Sequence, residues 1–133
     1  MADYIAQTRS NYFRVKHPGN FRRFCSRYGL SVINNTEKGK DCRFGFMMDE
    51  PIPTGRWNKR GERIETDFLK ELSCHLMPKE VAVVVEIGSE KMRYLNGYAC
   101  AVNWEGKRIQ VALSDIYRWA KETFGIEPTT AEY

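Results

Sequence analysis

The chain has 133 residues, of which 42% are hydrophobic, 29% charged and 13% aromatic, with 21 Lys+Arg against 17 Asp+Glu. That balance fits one globular domain of roughly 100–200 residues and excludes intrinsic disorder, a collagen-like repeat and an extended coiled coil. No window approaches the roughly 18–20 apolar residues of a membrane span and no apolar leader follows Asp3, so the expectation is a soluble protein of the cytoplasm. The charge is segregated: residues 1–63 hold 13 basic against 6 acidic side chains, and residues 64–133 hold 8 against 11. A field of that kind steers partners, and it points an anionic surface at the N-terminal half. Cys25, Cys42, Cys74 and Cys100 are scattered without any CxxC pair, which reads as reduced, mostly buried thiols rather than a zinc or redox motif.

In chain order, Ser10 to Lys16 is aromatic and β-branched and stops at His17-Pro18-Gly19, which predicts a strand with Phe13 and Val15 on one side and Tyr12, Arg14 and Lys16 on the other. Asn20 to Tyr28 places Phe21, Phe24, Cys25 and Tyr28 at helical spacing, capped by Asn20 and closed by Gly29, with Arg22, Arg23 and Arg27 outward. Leu30–Ile33 and Cys42–Met48 read as an antiparallel pair around the polar stretch Asn34–Asp41.

Asp49 to Arg63 carries two prolines, two glycines and Trp57 among Arg56, Lys59, Arg60 and Arg63, without periodicity; it predicts a long exposed basic loop, and loops of that length are usually functional or disordered. Thr66 then caps a helix with Phe68, Leu69, Leu72 and Leu76 on one face, ended by Pro78. The run Val81–Ile87 is the most apolar in the chain and predicts a central strand buried on both faces. After a turn at Gly88-Ser89-Glu90, Arg93–Asn103 is one strand bulged at Gly97 or two joined at Asn96-Gly97. Arg108–Leu113 follows as a strand, and Ser114 caps a last helix with Ile116, Ala120 and Phe124 inward and Gly125 at its end.

The expected fold class is α+β. The βαββαβ order of the first six elements matches the ferredoxin-like, split βαβ arrangement, extended by a C-terminal antiparallel meander and a terminal helix. A single domain spans residues 1–126, with the basic loop at 49–63, and residues 127–133 form a loose tail.

Chemistry is sparse. His17 lies in a turn and His75 beside inward-facing leucines, so neither makes a metal site, and no phosphate-cradling glycine loop occurs. Glu86 ends an apolar strand as a nuclease carboxylate would, but Gly88 stands where the partnering lysine belongs; Glu86 reads as a strand-end residue paired with Arg93 or another base. An enzyme built on Glu86, Arg93 and Asp115 is the weakest reading. Arg43-Phe44-Gly45-Phe46-Met47 resembles the RNP1 core of RNA-recognition motifs, with Tyr12-Phe13 at the RNP2 position, yet exposing Phe44 and Phe46 would leave a poor core; they read as core, with Arg43 facing solvent. A nucleic-acid face, if used, would comprise Tyr12, Arg14, Lys16 and Arg43. Trp57 among bases has the composition of an interface hot spot and suits stacking on an unpaired base, and Arg22, Arg23 and Arg27 extend the same surface.

Three stretches, Thr8–Lys16 (TRSNYFRVK), Glu90–Asn103 (EKMRYLNGYACAVN) and Leu113–Tyr117 (LSDIY), resemble small accessory proteins carried by bacterial phages, plasmids and other mobile elements. Such proteins are often anti-defence factors, anti-CRISPR or anti-restriction inhibitors that act by binding. The resemblance implies a non-enzymatic inhibitor without cofactor, acting in the bacterial cytoplasm on a defence protein or ribonucleoprotein such as a CRISPR effector. RNA or single-stranded DNA binding is the alternative partner class.

Overall fold

The computed structural model describes residues 4–35, 42–90 and 94–131. They form β1 (Tyr4–Ser10), α1 (Pro18–Tyr28), β2 (Ser31–Asn35), β3 (Arg43–Met48), β4 (Gly55–Trp57), β5 (Arg63–Glu65), α2 (Phe68–Ser73), β6 (Val81–Glu90), β7 (Tyr94–Asn103), β8 (Arg108–Ala112) and α3 (Asp115–Phe124). The protein is α+β: six strands make one sheet in the order β2-β3-β1-β6-β7-β8, every pairing antiparallel, and β4 and β5 make a separate two-stranded ladder. No helix among the described residues is long and apolar enough to cross a membrane.

Alternation along the strands sorts the sheet into two unlike faces. Phe44 and Phe46 on β3, Ala82 and Val84 on β6, and Cys100 and Val102 on β7 all point to one side, where α1 and α2 cover them. The helical spacing of Phe21, Phe24, Cys25 and Tyr28 makes the buried stripe of α1, as its sequence predicts, and Gly29 closes the helix in the left-handed conformation. Between helices and sheet lies an aromatic layer: Phe24 stacks on Phe68 at 5.6 Å, Phe46 meets Phe68 edge-on at 5.8 Å, and Phe13 meets Phe21 edge-on at 5.6 Å. Such edge and offset contacts add to the several kcal/mol that burial of each ring contributes, of order 2–3 kcal/mol apiece.

The first strand lies earlier than expected, at Tyr4–Ser10 instead of Ser10–Lys16. Asn11 ends it. Its backbone N–H donates to Val83 O at 3.0 Å, its side chain accepts from Val83 N–H at 2.7 Å and donates to Val81 O at 3.0 Å, so β6 holds this residue through three bonds while the chain turns away toward β3. Beyond that break only isolated bridges continue, Phe13 to Phe44 and Val15 to Leu76, with Phe13 and Val15 inward as their alternation predicts. Ser10 fills the gap left in the ladder, its hydroxyl accepting from Phe46 N–H and donating to the Asn11 carbonyl, both at 2.8 Å. Gly45 is the residue this crossing requires: a Cβ there would sit 2.6 Å from the Asn11 oxygen.

Several other expectations change. His17 occupies the N-cap of α1 in place of Asn20, with Pro18 in the first turn. Asp67 caps α2, accepting from Lys70 N–H, which frees the Thr66 hydroxyl to meet Tyr28. The helix ends at Ser73, and Leu76 belongs to the bridge with Val15. Gly88-Ser89-Glu90 continues β6 instead of turning, and β7 is one strand with regular pairing through Ile87 and Gly97. Arg93, the expected partner of Glu86, and the stretch 36–41 lie outside the described residues. The run Val81–Ile87 is central but not buried on both faces, for Val85 is 42% and Ile87 59% exposed. In α3 the expectation of inward Ile116 and Phe124 fails outright: no residue of that helix is buried. The N-cap Ser114 makes no side-chain bond; the Asp115 carboxylate instead accepts from Ala112 N–H at 2.8 Å.

Two substitutions test the crossing at Gly45. Gly45→Ala should lower the unfolding free energy by about 1–3 kcal/mol through overpacking, whereas Gly19→Ala, which meets nothing within 4 Å in α1, should raise it by about 0.4–1 kcal/mol. Urea denaturation of the pair checks both signs.

A second prediction concerns pH. His75 lies half-buried against Phe24, ring centroids 4.8 Å apart, and its pKa is held below the ordinary 6.5, first by burial and then by the positive charges of Arg27, Lys16 and His17. The unfolded chain therefore binds more protons just below pH 6.5, so this contribution is whole above 6.5 and is lost as pH falls toward the lower, folded value. The urea midpoint should drop between pH 7 and pH 5, and His75→Gln should flatten that drop; an identical slope in the variant would remove His75 from the account.

Candidate partner-binding surface

The stretch 49–63, expected as an exposed loop, is better ordered than its composition implies. The Thr8 hydroxyl donates to Glu50 O at 2.7 Å and Ile52 N–H donates to Glu86 Oε1 at 2.7 Å, so its first residues lie pinned across the covered face of the sheet. Gly55–Trp57 then pairs with Arg63–Glu65, Trp57 directly opposite Arg63. Gly55 has no room for a side chain, since a Cβ would lie 2.4 Å from the Ile64 carbonyl oxygen.

Asn58 builds the hairpin tip. Its side-chain oxygen accepts from Arg60 N–H and Glu62 N–H, both at 2.9 Å, while its own N–H donates to Glu62 O at 2.9 Å and Gly61 takes a left-handed φ of 77°. An asparagine that satisfies two backbone donors in this way mimics a longer turn and fixes the tip. Trp57 stands on this hairpin 61% exposed, and Lys59, Arg60 and Arg63 are exposed around it. Arg63 is partly held by the Thr54 hydroxyl at 3.3 Å.

The ladder sorts the bases as well. Adjacent residues on a strand point to opposite faces, so Arg56 faces away from Trp57. It turns inward, its Nε 3.5 Å from Glu71 Oε1 on α2 in a partly buried ion pair. The other Glu71 oxygen accepts the Tyr28 hydroxyl proton; with that single proton used, the Thr66 hydroxyl, 2.6 Å away, donates to Tyr28. Burial pushes the Glu71 pKa up, against the lowering influence of Arg27. Arg56 therefore joins the hairpin to the helices, on the side away from Trp57.

Helix α1 lies beside β4, which brings the exposed Arg22, Arg23 and Arg27 to the same side of the molecule as the hairpin. Arg27 is near enough to Glu71 and His75 to act on both charges. Arg22 leans over the Phe44 ring, 5.3 Å from its centroid, at the other end of the helix.

The second predicted face is divided. Phe44 and Phe46 are buried, at 4% and 0% exposure, so the stacking platform of an RNA-recognition motif is closed and both rings are core, as packing requires. Arg9 Nη2 donates to the Tyr12 hydroxyl at 3.2 Å, and the Arg14 backbone N–H donates to Glu80 Oε1 at 2.8 Å. The bridge Phe13–Phe44 sets Arg14 across from Arg43 on the side opposite those rings, and Lys16 is exposed farther along.

Glu86 is buried and accepts from Ile52 N–H, from the Tyr4 hydroxyl at 3.1 Å and from Asn96 Nδ2 at 3.3 Å. That is a carboxylate satisfied by neutral donors in a structural role, a pattern of Tyr, Asn and backbone that no local sequence spacing signals. Asp115 is likewise occupied, capping Ala112 and lying 3.7 Å from Arg118. The register Glu86–Tyr98–Ala112 puts about two strand spacings, roughly 10 Å, between the two carboxylates' anchoring residues. Among the described residues no group of three or more His, Cys, Asp or Glu could hold a metal ion. Cys25 and Cys100 are buried, and burial pushes the Cys25 thiol up to about 12 and raises that of Cys100; Cys42 and Cys74 are exposed.

An open cleft of about 600 Å³ lies between the hairpin base and β7–β8, lined among others by Ile52, Thr66, Tyr98 and Arg108. Arg108 closes one end through Asp67 at 2.8 Å, and this hydrogen-bonded guanidinium holds the Asp67 carboxyl below its usual range. No protein-family model, curated protein or solved structure matches the chain.

Proposed function

We propose that this chain is a non-enzymatic binding protein whose partner docks on the Trp57 hairpin and the adjoining basic side of α1. The observation that carries the reading is Trp57 itself, 61% exposed on a hairpin whose tip is fixed by Asn58, with Lys59, Arg60 and Arg63 around it. Tryptophan and arginine dominate interface hot spots because a large rigid ring buries area at low entropic cost and a guanidinium forks onto carboxylates. A preset hairpin lowers the ordering cost of docking further. The partner class is an acidic protein surface or a ribonucleoprotein. The resemblance of Thr8–Lys16, Glu90–Asn103 and Leu113–Tyr117 to accessory proteins of mobile elements favours a bacterial defence component, a CRISPR effector among them, and an inhibitory role.

The ferredoxin-like reading of the first six elements belongs with this proposal. Its support is that β1 lies between β3 and β6, antiparallel to both, with β2 outside β3. On that reading the hairpin is an insertion between the third strand and the second helix, which is how a binding element is added to a common scaffold.

The test is capture from a bacterial lysate, with and without nuclease, by the natural chain and by a Trp57→Ala, Arg60→Ala variant. A discrete protein should survive nuclease and be lost from the variant, its affinity weakened about tenfold or more. The unfolding midpoint should stay put, because both side chains are exposed. Retained nucleic acid alone, with affinity falling steeply as salt rises, would replace this reading with RNA or single-stranded DNA binding. Equal capture by the variant would move the site elsewhere.

A further inference from the structure

Among the described residues no helix covers the sheet face opposite α1 and α2, where Val85, Val111 and Ile109 stay 42%, 43% and 76% exposed. On it the register aligns Val85, Ala99 and Val111 in one row and Val83, Ala101 and Ile109 in the next. The two alanines of β7 form the floor of a trough, and the β-branched side chains of β6 and β8 form its walls. Leu113 closes one end, its side chain lying over Gly97 where a Cβ would be 2.6 Å away. Within these three strands neither row holds a charged residue, and Arg9 of β1, paired with Val85, borders the first row on its outer side.

The same chain carries a matching element with nowhere to go. In α3, Ile116, Ala120 and Phe124 fall along one stripe with Trp119 at its border, while Asp115, Arg118, Lys121 and Glu122 take the other side. Yet no residue of this helix is buried; Ile116 is 57%, Trp119 45% and Phe124 73% exposed. Its C-terminal neighbours fold along it instead of beneath it, Ala131 N–H donating to the Tyr117 hydroxyl at 2.8 Å.

The dimensions agree. A ten-residue helix is about 15 Å long and about 10 Å across, and three strands spaced about 4.8 Å present a strip about 10 Å wide. Area agrees as well. With exposures from 42% at Val85 to 76% at Ile109, and about 150–250 Å² for a large side chain, strip and helix together expose on the order of 1,000 Å² of apolar residue surface per copy. In a mutual exchange both surfaces of each copy are covered, and a standard stable interface takes about 800 Å² from each partner.

We propose that the occupant is a second copy of this chain: α3 of each protomer lies in the Ala99–Ala101 trough of the other, in a two-fold symmetric exchange. Such an interface is self-complementary, since each copy offers both the helix and the trough. It leaves the Trp57 hairpin outside and presents two of them on one particle, so a partner with repeated sites is bound with added avidity.

The experiment is sedimentation of the full chain and of the single variants Ile109→Glu and Phe124→Glu, each checked for an unchanged circular dichroism spectrum. Both positions are largely exposed in the single chain, so neither charge disturbs its core. The natural chain should sediment at twice 15.5 kDa, and each variant, by placing an unpaired charge in the apolar contact, should raise the dimer dissociation constant about a hundredfold or more. A natural chain that is monomeric at about 100 µM, a concentration that populates any dimer of micromolar affinity, overturns the proposal. So does a dimer that survives both substitutions, which uses another surface, and a dimer broken by Ile109→Glu but not Phe124→Glu, which packs sheet on sheet without the helix.

Discussion

Everything else in the molecule depends on the aromatic layer between β3 and the two covering helices. Phe46 and Phe13, both fully buried, fix the sheet side, and Phe21, Phe24, Tyr28 and Phe68 fix the helix side. Rings at 5.0–6.1 Å fill the space between an eleven-residue and a six-residue helix that are each too short to hold themselves together in water. Because Tyr28 ends this layer with a hydroxyl, the layer also reaches the Thr66, Glu71 and Arg56 cluster at its rim. The hairpin that carries Trp57 is attached to the core at that rim and by the Ile52 bond to Glu86.

Using both helices on one face has a cost on the other. An antiparallel sheet can turn one face to water, but here that face carries Val83, Val85, Ile109 and Val111, and the only remaining helix among the described residues, α3, has no buried residue. The apolar content of Val81–Ile87 then stands half in solvent. A trough of alanines walled by Val and Ile, next to a helix with an idle apolar stripe, is the pattern expected where assembly completes a fold.

What was legible in the sequence followed from local rules. The 3.6-residue spacing of Phe21, Phe24, Cys25 and Tyr28, the glycines at 29 and 125, and the alternation of Phe13 with Arg14 are all read within one element, and each appears in the structure. What was not legible depended on partners distant in sequence. Val81–Ile87 is apolar at every position but one, and composition alone cannot say whether its second face meets this chain or another. Three-residue strands such as β4 and β5 leave no periodicity, and their pairing is set by Asn58, whose role emerges only when Arg60 and Glu62 N–H point at it. Nor does spacing show that Arg56 turns to Glu71 while Trp57 turns out. The Asn11 break, which shifts the first strand from Ser10–Lys16 to Tyr4–Ser10, comes from bonds to Val81 and Val83 some seventy residues on.

Two surfaces of opposite character thus share one scaffold, a basic and aromatic one on the covered side and an uncharged trough on the open side. The claim that ties them together is that the open side is completed by another copy. It is tested most directly by isotope-filtered NMR on a one-to-one mixture of labelled and unlabelled chains. The account predicts intermolecular contacts from the Phe124 ring and Ile116 methyls to the Ala99 and Ala101 methyls, with no such contact from Trp57. Those same contacts found only within one chain, or the helix resonances free of any contact to the sheet, would contradict it.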